Sequence, residues 1–271
     1  MINDITSDLT YIIKLVKEKS GIVFTLEKSY MLLDKLKLIV AKYNLENVHN
    51  LSNILRQTNN QSIALEVVEA LTINETSFYR DTYPFEALHN YVIPHLLEYR
   101  PEKKVIKILS AACSTGQEPY SIAMHFLEHK EYNLNCSIMA LDLSNQAIEK
   151  AKSGLYNSFE VQRGLSPSLL IKYFSEVDKG WLIEDKVREQ VTFKAFNLMN
   201  DLSGLGLFDV VFCRNVLLYF DDNTRKKVLD NLKKVMNKDS VLILGGADSI
   251  SFSEHEFKKV SKYNSVYNFY G

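Results

Sequence analysis

Four polar groups stand just past apolar stretches of this chain, where side chains that only pack would suffice. Glu118 follows the small-residue run Ser110-Ala111-Ala112-Cys113-Ser114-Thr115-Gly116, and Asp142 closes the apolar run Ser137 to Leu141. Asn197 follows Val191 to Ala195, and Arg214-Asn215 follow Phe208-Asp209-Val210-Val211-Phe212-Cys213. The carboxyl ends of parallel strands are where such folds gather ligands. A carboxylate after a second strand can hold paired ribose hydroxyls, and an amide can meet an adenine edge. Each also has a plainer role. Asp142 can be a helix N-cap neighbour, Glu118 a first-turn carboxylate serving the helix dipole, and Asn197 a turn residue. Cys113 has no histidine close in sequence and reads as a small packing residue.

The elements that must position these groups follow from local pattern. Val105 to Leu109 is a short β-branched and apolar run, suited to a strand buried on both faces. The small residues come next, and then Pro119 in a first helical turn leads into Tyr120-Ser121-Ile122-Ala123-Met124. Strand, tight turn and helix N-terminus form a nucleotide-type cradle, open to the backbone. It is not the dinucleotide fingerprint, because only Gly116 of three required glycines is present. Glu118 repels phosphate and attracts a cation. The ligand is therefore a nucleoside with a positively charged arm, a description that S-adenosyl-L-methionine fits.

A chain of 271 residues with 46% hydrophobic content buries a substantial core, as one large domain or a medium one plus a small one. The net charge of −1 offers no basic field for nucleic acid. Cys113, Cys136 and Cys213 lack metal-like spacing and read as reduced cytosolic thiols. The N-terminus lacks a signal pattern and no apolar run reaches transmembrane length, so the expected setting is cytoplasmic, without membrane insertion.

From Leu9 to about Leu71 the spacing predicts four helices. Tyr11, Ile12, Leu15 and Val16 form one stripe, and Leu32, Leu33, Leu36, Ile39 and Val40 another. Ser20-Gly21 breaks the first helix, and Thr25 is the expected cap of the second. Lys28, Lys35, Lys37 and Lys42 make that second helix basic; a solvated face is the plain reading. Past Pro84, helix and strand patterns alternate, which implies a mainly parallel sheet wrapped by helices. The stretch between Ala151 and Val191 is too long for a crossover loop and reads as an inserted subdomain. Within it, Trp181-Leu182-Ile183 and Gln190 to Phe193 are expected to pair as small antiparallel strands.

These residues resemble the CheR-type chemoreceptor glutamate O-methyltransferases. Four segments match in order. They are Asn74-Glu75-Thr76-Ser77-Phe78-Tyr79-Arg80-Asp81, the cradle through Met124, Asp142-Leu143-Ser144, and Phe208 through Arg214-Asn215-Val216-Leu217-Leu218-Tyr219-Phe220-Asp221. Gly245-Gly246-Ala247-Asp248-Ser249 is a looser match to the family's glycine-acidic ending. The resemblance spans nearly the whole chain. It implies an α/β fold: a Rossmann-like class I methyltransferase sheet, an inserted small antiparallel β subdomain at about 154–190 and an N-terminal helical domain. The domains it implies are 1–73 for substrate recognition, 74–103 as linker and entry helix, and 104–271 for S-adenosyl-L-methionine.

The resemblance also implies the chemistry, with S-adenosyl-L-methionine as methyl donor and a receptor glutamate as acceptor. Its cofactor positions are Asn74, Thr76, Arg80, Ala112, Glu118, Asp142, Asn197, Leu198, Arg214 and Asn215. Arg80 and Tyr219 are the expected catalytic pair. A glutamate carboxylate, with pKa about 4.3, is already anionic at neutral pH, so no general base is needed. Lys28, Lys35, Lys37 and Lys42 are the expected contacts to a chemoreceptor's cytoplasmic helical bundle, and the enzyme is expected to be a monomer. Some family members also grip a short receptor tether through the inserted subdomain, using a longer, glycine-rich loop. The stretch here, Tyr173 to Trp181, is shorter, has one glycine, and carries Glu176 and Asp178. Tether-independent recognition is the expectation. Three other readings compete with this one: a small-molecule methyltransferase, a non-catalytic binding module, and a nicotinamide oxidoreductase. The lysine-bearing helices, Arg80 with Tyr219, and the missing glycines with Glu118 speak against them in turn.

Overall fold

The computed structural model describes residues 2–57, 60–250 and 256–270, without the side chains of 2–4 and 28. The side chain of Lys28 therefore lies outside the described residues. Residues up to 73, together with 219–224, form one compact unit; 74–218 and the residues from 225 onward form a second.

In the first unit, α1 (Ile2–Ser20) stops where Gly21 turns left-handed at φ 80°. Next come α2 (Ser29–Lys42), α3 (Val48–Arg56) and α4 (Gln61–Leu71). The apolar stripes supply the buried side chains Leu9, Ile12, Val16, Leu32, Leu36, Leu51, Leu55, Val67 and Leu71, with α1 and α2 each packed against α3 and α4. Asn47 caps α3 by accepting from the Asn50 N–H at 3.0 Å. Thr25 departs from expectation. It precedes a 3-10 turn at Leu26–Lys28, and its side chain makes no cap bond. The tighter turn takes the place of a side-chain cap. Residues 219–224 join this unit locally: Val23 N–H donates to the Tyr219 carbonyl at 2.9 Å, Ile22 bridges Phe220, and Lys17 pairs with Asp221 at 2.7 Å.

The second unit opens with α5 (Tyr83–Ala87), a π-helical turn at Leu88–Val92 and α6 (Ile93–Tyr99). Then β1 (Val105–Ala111), α7 (Gln117–Glu128), β2 (Asn135–Asp142) and α8 (Asn145–Ser153) alternate. The inserted region holds β3 (Leu155–Tyr156), α9 (Ser158–Gln162), α10 (Pro167–Tyr173), β4 (Phe174–Val177), β5 (Gly180–Ile183) and α11 (Asp185–Arg188). The rest comprises β6 (Val191–Ala195), β7 (Phe208–Cys213), α12 (Asp222–Lys233), β8 (Met236–Leu244), β9 (Phe257–Lys259) and β10 (Val266–Phe269).

The central sheet has the order β6-β2-β1-β7-β8-β10-β9. Five strands are parallel, and β10 runs antiparallel to both its neighbours. This is the Rossmann-like class I arrangement, with the chain reversing its direction of winding between β1 and β7. Ile106, Ile108 and Leu109 of β1 are fully buried, as a strand covered on both faces requires. Truncating one such side chain to Ala costs roughly 2–5 kcal/mol. At the other end of β7, Asp209 is fully buried yet satisfied. It takes bonds from Arg100, Lys103, Asn237 and the Lys107 N–H.

The small sheet has the order β3-β5-β4, all antiparallel. Here one expectation fails. Trp181-Leu182-Ile183 does not pair with Gln190 to Phe193. Strand β5 pairs with β4 across a tight turn at Asp178-Lys179, and β6 instead lies parallel to β2 at the edge of the central sheet. The physical reason is proximity: a two-residue turn closes a local hairpin before a more distant strand can compete. Gly180 follows the turn at φ 133°, and a Cβ there would lie 2.3 Å from the Tyr156 carbonyl oxygen on the neighbouring β3. The stretch from Tyr173 to Trp181 is thus a helix end and a hairpin rather than a loop. No helix among the described residues is long and apolar enough to cross a membrane.

Candidate functional site

The site grows from the end of β1. After Ala111 the chain passes through Ala112 (φ 63°) and Ser114 (φ 51°), left-handed positions that disfavour side chains, and reaches Gly116 (φ 95°). Such backbone persists only where neighbours over-determine it. Here the Cys113 N–H donates to the Leu141 carbonyl at 2.8 Å, the Ser114 N–H to Asp142 Oδ2 at 2.7 Å, and Ser114 Oγ to the Asn74 carbonyl at 2.8 Å. Asp142 also accepts from the Ser144 N–H at 3.0 Å. One carboxylate therefore braces the turns after both β1 and β2. Cys113 is buried beside Ala140 and Ile148, and burial pushes its thiol well up, so it is a packing residue and not a nucleophile.

Glu118, in the first turn of α7, accepts from Ser110 Oγ at 2.7 Å and from Arg214 Nη1 at 2.8 Å. The Arg214 side chain is 2% exposed. Its Nη2 donates to the Arg80 carbonyl and to Asp81 Oδ2, both at 2.7 Å. Burial works against the Arg214 charge, but Glu118 and then Tyr83 outweigh it, and the guanidinium pKa rises above its ordinary value. Arg214 Nε is buried with no hydrogen-bond partner among the described residues. Sequence reasoning placed Glu118 and Arg214 separately against a ligand; the fold pairs them with each other first.

Asn215 follows at φ 57°, and its N–H donates to Asp248 Oδ2 at 2.6 Å. Asp248 also accepts from the Gly245 and Leu218 N–H groups. Burial raises the Asp248 pKa, with these backbone donors opposing it. Gly245 is required by close approach: a Cβ there would lie 2.7 Å from the Asn215 nitrogen. The role of Asp248 escaped the sequence reading, although an acid shortly after the Gly245-Gly246 pair was its signal. Asn197 is half-buried, its Oδ1 accepting from the Met199 N–H at 2.9 Å. Leu198 is buried, and its carbonyl accepts from Asn231.

The stretch from Asn74 to Asp81 is clamped to the same unit. Phe78 is fully buried and edge-on to Tyr156 and Phe174, at 5.0 and 5.5 Å between ring centroids. The Tyr79 N–H donates to Ser121 Oγ at 2.9 Å. Gly164 crosses so closely that a Cβ would lie 1.8 Å from the Phe78 carbonyl oxygen. Asn74 is exposed, Thr76 and Arg80 are half-buried, and Arg80 Nη1 donates to the Glu75 carbonyl at 2.9 Å. The fold thus gathers Ala112, Glu118, Asp142, Arg214, Asn215 and the Arg80 segment at the carboxyl edge of one sheet.

Tyr219 belongs to the helical unit, as do the lysines. Lys35 Nζ donates to the Thr72 carbonyl at 2.7 Å, and burial lowers its pKa. Lys42 pairs with Glu66 at 2.5 Å, so both hold α2 against the α4 side. Lys37 pairs with Asp34 within α2 at 2.8 Å and is well exposed.

The donor set of the sheet edge fits S-adenosyl-L-methionine. An orphaned buried guanidinium N–H, two carboxylates and an open turn suit a zwitterionic nucleoside better than a phosphate ester. The comparisons with known proteins agree. The family model for the CheR methyltransferase, SAM binding domain, matches residues 74–266. The chemotaxis protein methyltransferase Cher2 of Pseudomonas putida is 35% identical over 242 residues, covering 87% of this chain and 88% of that protein. A chemotaxis protein methyltransferase of Vibrio parahaemolyticus is also 35% identical, over 252 residues, covering 91% and 90%. With a domain match over most of its length and relatives aligned nearly end to end, this chain belongs to the CheR methyltransferase family, whose members carry out S-adenosyl-L-methionine-dependent methylation in chemotaxis.

Proposed function

We propose that the chain methylates side-chain carboxylates of glutamates on chemoreceptor helices in the cytoplasm, forming methyl esters used in adaptation. The observation that carries this reading is the tie between Arg80 and the cradle. The Arg80 carbonyl is bonded to Arg214, which pairs with Glu118 at the start of α7. The Arg80 backbone is thereby tied to the start of α7, and its half-buried guanidinium, bonded to the Glu75 carbonyl, is the cation assigned here to the incoming carboxylate.

In this reading Asp142 takes the ribose hydroxyls, Glu118 the ammonium group and Arg214 Nε the carboxylate of the cofactor. Asn197 and Leu198 serve the adenine, while Asn74, Thr76, Ala112 and Asn215 line the cradle. Bound there, S-adenosyl-L-methionine supplies a sulfonium methyl for direct displacement by a carboxylate oxygen. The acceptor is already ionised, so the chain's task is to strip it of water and aim one oxygen. Arg80 orients it by a charge-assisted bond and Tyr219 through its hydroxyl. Positioning of this kind is worth on the order of 7–11 kcal/mol. Arg80 must not hold the acceptor tightly in the ground state, since uniform binding leaves the rate unchanged.

Residues 1–73 serve receptor recognition, with Lys37 more exposed than Lys35 and Lys42. Recognition is independent of a tether, because the hairpin of β4 and β5 closes in a tight turn and carries Glu176 and Asp178. The deciding experiment is methyl transfer from labelled S-adenosyl-L-methionine to receptor cytoplasmic fragments. Label that is released by mild alkali and lost when receptor glutamates become alanine supports the reading. Alkali-stable label refutes the carboxyl acceptor.

A further inference from the structure

Three histidines converge in the second unit. His125 lies in the last turn of α7 and His129 caps that helix, one turn further along the same face. Their ring centroids are 4.3 Å apart. His89 comes from the π-helical turn, its centroid 4.4 Å from that of His129 and 6.2 Å from that of His125. One ring nitrogen from each lies within 4.8 Å of the others.

Two of these rings carry unmet polar atoms. His125 is 6% exposed, and its Nε2 has no hydrogen-bond partner among the described residues. His89 Nδ1 is buried and unpartnered in the same way. Buried polar atoms without a partner are uncommon, so a pair of them in one cluster points to an absent partner.

The surroundings have the second layer that metal-ligating histidines use. Glu131 Oε1 lies 3.4 Å from His89 Nε2 and 3.2 Å from His129 Nδ1. Glu131 is hydrogen-bonded to His129 Nδ1 and lies close to His89 Nε2, which leaves the opposite ring nitrogens as the ligand atoms. Tyr132 donates its hydroxyl to the His89 carbonyl at 3.3 Å, which steadies the π turn. Turns of this type are rare and recur at functional sites. A cavity of about 340 Å3 opens beside the rings and gives an ion a way in.

We propose that His89, His125 and His129 form a binding site for a divalent transition-metal ion of the zinc class, oriented by Glu131. Imidazole ligands suit zinc, and three of them leave a fourth position for water. Nitrogens around tetrahedral zinc sit roughly 3.3 Å apart, a closure that side-chain torsions supply. An ion here clips the π turn to the end of α7. The cavity wall includes Tyr79 and Asp81, the neighbours of Arg80, so occupancy also stiffens the segment that carries Arg80.

The test is zinc titration calorimetry on the untagged full chain after chelator treatment, with cobalt(II) as a spectroscopic stand-in. The expected result is stoichiometric uptake, with affinity falling at least about tenfold in His129→Gln and in His89→Gln. Zinc should raise the melting temperature of the wild type by more than that of these variants. Cobalt should give tetrahedral visible bands without a thiolate band, since all three cysteines are buried. His129 stands at a helix end with a partly exposed side chain, so its variant keeps the fold. His49→Gln, in the helical unit, should bind as the wild type does. Absence of zinc uptake by the wild type, or equal affinity in His129→Gln and His49→Gln, would overturn the proposal.

Discussion

A guanidinium as deeply buried as that of Arg214 is stable only because Glu118, Asp81 and the Arg80 carbonyl meet it together. Removing one partner of a buried pair costs about 3–5 kcal/mol, since the other charge is stranded. Glu118→Ala should therefore lower stability as well as cofactor affinity, and Glu118→Gln is the cleaner probe. Glu118→Gln and Asp142→Asn are each expected to weaken S-adenosyl-L-methionine binding with the circular dichroism spectrum intact. Unchanged calorimetric affinity in both would remove them from the site. The acceptor side predicts a different signature. Arg80→Ala and Tyr219→Phe should still bind cofactor but lose about 2–4 kcal/mol of barrier lowering, Arg80→Ala more. Single-turnover rates equal to wild type would exclude them from the chemistry.

At the scale of elements, α1 and the 219–224 segment are linked by a pair that titrates. Lys17 bonds to Asp221 and, with the Thr224 N–H, holds that carboxyl down at about 2. The folded value lies below the ordinary 3.8, so the pair's contribution is present above about pH 4 and is lost as pH falls toward 2. Both side chains are substantially exposed, which limits the gain to at most about 1 kcal/mol. Lys17→Met should raise the Asp221 pKa toward 3.8 and flatten that acid limb. Carboxyl titration by NMR checks it, and a value still near 2 would assign the shift to Thr224 alone.

At the scale of the molecule, the proposal of tether-independent recognition rests on the small sheet β3-β5-β4. Strand β4 is an edge strand, and Ser175, Glu176 and Val177 along it are exposed. A tethering peptide adding there would need an edge that tolerates its charge and a turn that bends aside. The tight turn and the carboxylates of Glu176 and Asp178 oppose both. Titrating the full chain with a receptor's C-terminal tether pentapeptide should show no binding. Micromolar binding that Glu176→Lys or Asp178→Lys strengthens would reverse this conclusion.

Local pattern determined the elements. The apolar runs at Val105, Ser137 and Phe208, the small residues after Leu109 and Pro119 in the first turn of α7 made the strand–turn–helix unit legible. Both period and punctuation act over a few residues. Family motifs then named the chemistry. Tertiary structure decided what pairs with what. Two expectations compete over Gln190 to Phe193: pairing with Trp181-Leu182-Ile183 fails because the local hairpin takes β5, whereas the strand from Val191 to Ala195 holds and borders β2. Glu118 and Arg214 lie 96 positions apart, and no periodicity reports that they share a bond. Asp248 braces Asn215 across 33 positions, and His89 meets His125 and His129 only once the π turn and α7 are packed. Such contacts depend on loop closure and on the burial of particular faces, which one-dimensional spacing does not encode.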